Sequence, residues 1–240
     1  EARGGEGAAA AGSAVARISE AQEAGVRCFH ARRYREARAA FERMRDAARG
    51  AGLGRREGEA HRLLANTLDK MDAPGAEVEE AYKQALAIAH RQDDMELSFN
   101  VLTGMGSHSM KGGDPDLAEH LYLQSLTLAQ RVLAEKEQAV AESNVGMCLA
   151  QIEGRRSESF SHFRKAIELQ QRSDADPHSI GVLLANYASA LACDGRNEEA
   201  QKEYEGVLKI ARAIEDRRTE VNILVNLANL TDERAPDQAR

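Results

Sequence analysis

Tryptophan is missing from this 240-residue chain, and all aromatic residues together make up only 4% of it. A single thick core normally carries more aromatic bulk, so the scarcity argues for thin layers in which small side chains let helices approach closely. Cysteine is scarce too. Cys28, Cys148 and Cys193 are odd in number and have no paired spacing, so they suggest neither a disulfide framework nor a zinc site. Each falls in a helical pattern and reads as a small buried apolar residue. A reducing compartment, the cytosol, is the expected location. No apolar run approaches the roughly 18 residues that span a bilayer, so no membrane partner is expected. Residues 1–13 are rich in Gly and Ala and lack the charged-then-apolar layout of a signal peptide. They read as a disordered leader, and the missing initiator Met reads as the mark of a fragment.

Positive charge is also short. The net charge is −7, and no basic stripe is interleaved with aromatics, so nucleic acid is not an expected partner. The deficit is uneven: Ala14 to Glu57 holds 11 Arg against 6 acidic residues. This is either a solvated helix face or a first repeat that attracts an acidic segment. Seven dispersed histidines give no i, i+4 metal pair, so no metal or cofactor is expected. The run Gly104-Met-Gly-Ser-His-Ser-Met-Lys111-Gly-Gly imitates a phosphate loop but lacks the Gly-Lys-Ser/Thr ending and a preceding strand. Glu79-Glu80 and Glu198-Glu199 sit near helix starts, where the helix dipole explains them. No constellation points to catalysis.

What is present is helix-forming: Ala, Leu, Glu and Arg dominate, side chains that lose little rotamer freedom on a helix. They are arranged in a repeat. Phe41, Tyr82, Tyr122, Phe163 and Tyr204 recur at 41, 40, 41 and 41 residues. Four positions before each stands Ala37, Val78, Ala118, Ser159 or Ala200, and three after stands Met44, Ala85, Ser125, Ala166 or Val207. A second column of small residues runs Gly25, Ala65, Gly106, Gly146, Ala188 and Ala228, with the same period. Turn signals separate the columns at Arg32-Arg33, Ala73-Pro74-Gly75, Gly112 to Pro115, Gly154 to Arg156 and Asp194 to Arg196. Each repeat is therefore an antiparallel helix hairpin. Residues 14–231 are predicted to hold five hairpins and one extra C-terminal helix, Val221 to Leu230, with 232–240 as a tail.

The stretch from Asn186 to Tyr204, NYASALACDGRNEEAQKEY, resembles the tetratricopeptide repeat pattern almost column for column. Two departures stand out. Cys28, Leu68, Ser109, Leu149 and Leu191 replace the usual aromatic three residues after the small column, and the period is near 41 instead of about 34. The longer period looks like the branch that includes kinesin light chains and the LGN/Pins polarity adaptors. The resemblance implies an all-α fold, a right-handed α-solenoid superhelix of hairpins, with the first helices lining a concave surface. It also implies protein or peptide binding in place of catalysis.

Two residues before the small column, the last three repeats carry Asn144, Asn186 and Asn226. An amide offers a donor and an acceptor. Such a row can hold the backbone of an extended peptide, as groove asparagines do in long-repeat relatives, or it can bond a neighbouring helix. By the same resemblance Asn222, Asn229, Asn100, Arg62 and Asn66 share that face. Arg62 with Asn66 looks like half of a carboxylate clamp whose next asparagine is replaced by Gly104. Arg62, Lys70 and Lys111 would add charge selectivity. The expected function is a non-catalytic adaptor. The alternatives are an architectural subunit that self-associates through its apolar last helix, and the regulatory domain of an enzyme lying outside this fragment.

Overall fold

The computed structural model describes the backbone of residues 2–132, 134–173 and 176–232 and the side chains of 12–132, 134–173 and 176–230. Eleven helices and no strand occupy these residues. They are α1 (Ala2–His30), α2 (Tyr34–Gly50), α3 (Gly54–Lys70), α4 (Gly75–Arg91), α5 (Met95–Lys111), α6 (Pro115–Val132), α7 (Glu135–Gln151), α8 (Arg156–Arg172), α9 (Pro177–Cys193), α10 (Asn197–Ala213) and α11 (Arg217–Asp232). They fall into two compact units, Glu1–Gly112 and Gly113–Arg240. The side chains of the predicted leader and the predicted tail lie largely outside the described residues. α11 starts four residues earlier than its apolar pattern, because Asp216 caps it: Oδ1 accepts from the Thr219 amide at 3.1 Å.

Sequence columns become packing layers. In the N-terminal unit Phe41 is buried with Ile18, Ala37, Met44, Ala60 and Leu64. Tyr82 is buried with Ala65, Leu68, Val78, Ala85 and Val101. In the C-terminal unit Phe163, Tyr187, Tyr204, Val207 and Ile223 share one core with Ala166, Ala188 and Leu191. These column aromatics thus pack with their own hairpin and with the first helix of the next, which is how stacked repeats share a core that none could close alone.

The small column lets those rings in. A Cβ added at Gly25 would sit 2.4 Å from the Phe41 ring, inside any permissible contact. At Gly146 the Phe163 ring would stand 3.3 Å away. Ala65 and Ala188 are wholly buried in the same role. Ala228 is exposed, because no second helix follows α11 among the described residues to supply a ring.

Turns recur every half repeat. Arg32, Gly52, Asp72, Asp93, Gly195 and Glu215 are left-handed, with φ between 51° and 77°. The next amide in each case reaches back five residues to a helix carbonyl, as from Arg33 to Cys28 at 2.9 Å and from Asp216 to Ala211 at 2.9 Å. This is the Schellman ending of a helix. The acidic loops do more than solvate: Asp93 makes the left-handed step, and Asp94 then caps α5 by accepting from the Leu97 amide at 2.9 Å.

Cys148 is buried as expected. Burial pushes its thiol up to about 11, while Sγ–H points at the Pro115 carbonyl at 3.2 Å. Cys193 departs from expectation. It is exposed, because it ends α9 on the side away from the core. The glycine-rich phosphate-loop imitation is helical for most of its length, and Gly104 packs on the Tyr82 ring.

Gly25 and Gly146 give opposite expectations on substitution. Gly25→Ala gains about 1 kcal/mol of helix propensity but forces a buried ring to move, an overpacking cost of roughly 1–3 kcal/mol. It should lower stability in urea unfolding. Gly146→Ala meets its ring at a tight 3.3 Å that a shift of a few tenths of an ångström relieves, and it should stay within about 1 kcal/mol of the parent. Equal effects at both sites would show that the ring contacts do not set the column.

Candidate functional site

The predicted residues fall into two sets, one in each unit. In the C-terminal unit, Asn144 on α7 and Asn186 on α9 line one cavity of about 240 Å³. Successive first helices bring them together, as the 42-residue spacing predicts. Val140, Met147, Val182 and Leu183 form its apolar walls, with Ser143, His178 and Ser179 beside them. Asn144 is 9% exposed, and its Nδ2 has no hydrogen-bond partner. A buried unpaired amide is costly and calls for a complement.

Asn226 serves a different end. It bonds the hydroxyl of Tyr204, which also lies 2.9 Å from Ser189 Oγ. Burial raises the Tyr204 phenol pKa, and these hydrogen bonds partly oppose the rise. Asn222 and Asn229 are exposed on α11. The row of three amides is therefore two amides at one cavity and a third used between helices.

In the N-terminal unit, Arg62 on α3 and Asn100 on α5 line a polar cavity of about 330 Å³ with Arg55, Arg56, Glu59, Glu96 and Leu97. Arg62 Nε is buried without a hydrogen-bond partner, and desolvation lowers the guanidinium pKa against the opposing charge of Glu59. Asn66, one turn along, accepts from the Tyr82 hydroxyl at 2.6 Å. That bond commits the amide oxygen to the interior of its own hairpin. Gly104, where a clamp would carry asparagine, is where α5 meets the Tyr82 ring: an added Cβ would lie 2.8 Å from it.

Lys70 is exposed. Lys111 is tied to the α3–α4 turn, with Nζ 2.6 Å from Asp72 and donating to the Asp69 carbonyl oxygen at 2.5 Å. The hydrogen bond to Asp72 raises the Lys111 pKa and lowers that of Asp72. It fastens a turn, and His108 reaches Asp69 Oδ1 at 2.6 Å beside it.

Of the cavity residues that sequence reasoning did not name, three stand out in the C-terminal unit. Val140 and Val182 stand six residues before the small column, exposed for apolar residues at 38% and 45%. Gln170 comes from α8, a second helix. It is 8% exposed, and its Oε1 has no partner. A signal was present: seven residues after each column aromatic stands Ala48, Ala89, Ala129, Gln170 or Ala211. Glutamine breaks an alanine column.

A larger cavity, about 940 Å³, lies between α1 and α2, bounded mainly by Ala, Gly and Arg. Among the described residues no group of three or more His, Cys, Asp or Glu could hold a metal ion, and no helix is long and apolar enough to cross a membrane.

No family model matches the chain, and no curated protein matches it in sequence. Solved structures match it in fold. The nearly identical TPR-like repeats ascribed to a kinesin light chain of Podosopora anserina are 16% identical, with a TM-score of 0.63 over 82% of this chain and 96% of their own. PilF of Pseudomonas aeruginosa is 17% identical, with a TM-score of 0.62 over 95% and 99%. The thermophilic TPR protein TTC0263 of Thermus thermophilus is 18% identical, with a TM-score of 0.62 over 89% and 98%. At these identities the likeness is one of fold: an all-α solenoid of tetratricopeptide-type hairpins.

The Tyr82–Asn66 bond separates a structural asparagine from a binding one. Asn66→Ala removes the acceptor of the Tyr82 hydroxyl bond and should cost about 1–2 kcal/mol in urea unfolding. Adding Tyr82→Phe should recover most of that loss. No recovery in the double variant would show that Asn66 is held for another purpose.

Proposed function

We propose that this chain, a tetratricopeptide-type solenoid, is a non-catalytic protein-interaction module whose first helices hold an extended segment of a partner. Within each unit, stacked hairpins set successive first helices side by side, the surface repeat proteins use for binding. The observation that carries the reading is the cavity shared by Asn144 and Asn186, with an unpaired amide buried at its wall. The partner segment supplies an acceptor for that amide, its peptide groups run past Asn186, and Val140 and Val182 offer apolar contact on either side. Arg62 and Asn100 provide a second, polar contact on the N-terminal unit. Three free thiols suit a reducing compartment, and we read the cytosol as the location.

Changing Asn144 and Asn186 together to Ala should remove capture of the partner by the purified chain while far-ultraviolet circular dichroism stays unchanged. Asn226 is left intact, since it supports Tyr204. Undiminished capture by the double variant contradicts the reading.

A second reading, an architectural role through self-association, is favoured by one observation. α11, the last described helix, exposes Val221, Leu224 and Val225 on one apolar surface. Sedimentation equilibrium should show association that Leu224→Asp with Val225→Asp abolishes. A monomer at high concentration in the unchanged chain rules this reading out.

A further inference from the structure

Gln170 is the anomaly in the repeat. Its position is alanine in the other four repeats, at Ala48, Ala89, Ala129 and Ala211, each of them buried to 2% exposure or less. The substitution places a longer, polar side chain in a site the fold otherwise fills with a methyl group. Nothing in the hairpin repays it: Oε1 is buried and unpaired. The cavity it enters also contains Asn144, whose Nδ2 is buried and unpaired. Both residues line one recess and are more than nine-tenths buried, and each carries a buried, unpaired polar atom: an acceptor on Gln170 and a donor on Asn144.

We infer that this recess receives a carboxamide side chain, glutamine or asparagine, from the partner segment that lies across α7 and α9. The inference rests on the groove-binding reading above and names what the groove selects. The lining contains no Asp, Glu, Lys or Arg, and its His178 faces Asp216 at 3.3 Å. A charged group would therefore be desolvated without a counter-ion. A carboxylate would satisfy Asn144 but set an oxygen against Gln170 Oε1. An ammonium would satisfy Gln170 but oppose the Asn144 amino group. A leucine would fit the Val140, Val182 and Leu183 walls and leave both amides unpaired. A hydroxyl offers donor and acceptor from a single atom and fills little of a 240 Å³ space. A carboxamide presents an acceptor to Asn144 and a donor to Gln170 from one planar head, with its methylenes between the valines. A backbone peptide group is a poorer match, because the unpaired atoms are buried in a recess while an extended main chain stays at the rim, beside Asn186.

The test is selection of random nine-residue peptides displayed on phage against the immobilised chain, followed by calorimetric titration of a selected peptide. Glutamine or asparagine should be fixed at one position. Replacing it by Glu or Leu should weaken binding about tenfold or more, since either change leaves a buried polar group unpaired. On Gln170→Ala, which restores the repeat's own residue, the Gln and Leu peptides should bind within about threefold of each other. Gln170→Met keeps the side-chain volume and should give the same loss of preference. Both variants should melt no lower than the parent, whereas a glutamine kept for structure would lower melting on replacement. Peptides that bind without a fixed amide, or an amide preference unchanged in both variants, overturn this inference alone. Failure to select any peptide contradicts the groove reading and this inference with it.

Discussion

Everything in this chain depends on an aromatic ring from one helix resting where its partner helix has almost no side chain. Gly25 admits Phe41, Gly146 admits Phe163, and alanines do the same for Tyr82 and Tyr204. A hairpin that offers only this contact buries too little to stand alone, so the ring's far side must be covered by the next hairpin. Tyr82 against Gly104 of α5 and Phe163 against Tyr187 of α9, at 5.6 Å between ring centres, are that coverage. The choice between Phe and Tyr follows the neighbour one residue beyond the small column. Phe41 and Phe163 face repeats with Val26 and Met147 there, while Tyr82 and Tyr204 bond Asn66 and Ser189. A buried hydroxyl requires a partner, and these hairpins supply one where the ring carries it.

The turns hold the period. At the ends of α1 to α4, α9 and α10 a left-handed residue is followed by an amide bonded five residues back. Arg32, Asp72, Asp93 and Glu215 adopt this conformation without being glycine, at roughly 1 kcal/mol each relative to it. Ion pairs one repeat apart, Arg38 with Glu77 and Arg55 with Glu96, lie along the same register at 2.9 and 2.7 Å. They are exposed and contribute little beyond orientation.

The fold was legible because two columns of unlike chemistry shared one period, and only close packing of a ring on a small residue demands that. The binding residues were less legible, since asparagine serves several ends. Asn66 and Asn226 look like Asn144 in sequence, yet tyrosine hydroxyls engage the first two while the Asn144 amino group is left unpaired. Lys111 read as a free charge because its partners, Asp69 and Asp72, lie about 40 residues away in the preceding turn. Gln170 was readable as the break in an alanine column, but it lies on a second helix, and the resemblance assigns ligands to the first helices only.

The most direct measurement is a double-mutant cycle on Gly25 and Phe41 followed by urea unfolding. Phe41→Leu alone removes ring contacts, and Gly25→Ala alone forces the ring aside. Together the shorter side chain makes room for the new methyl group, so the double variant should be more stable than the sum of the two losses by about 1 kcal/mol or more. Losses that add within about 0.5 kcal/mol would contradict the claim that the small column exists to admit the ring.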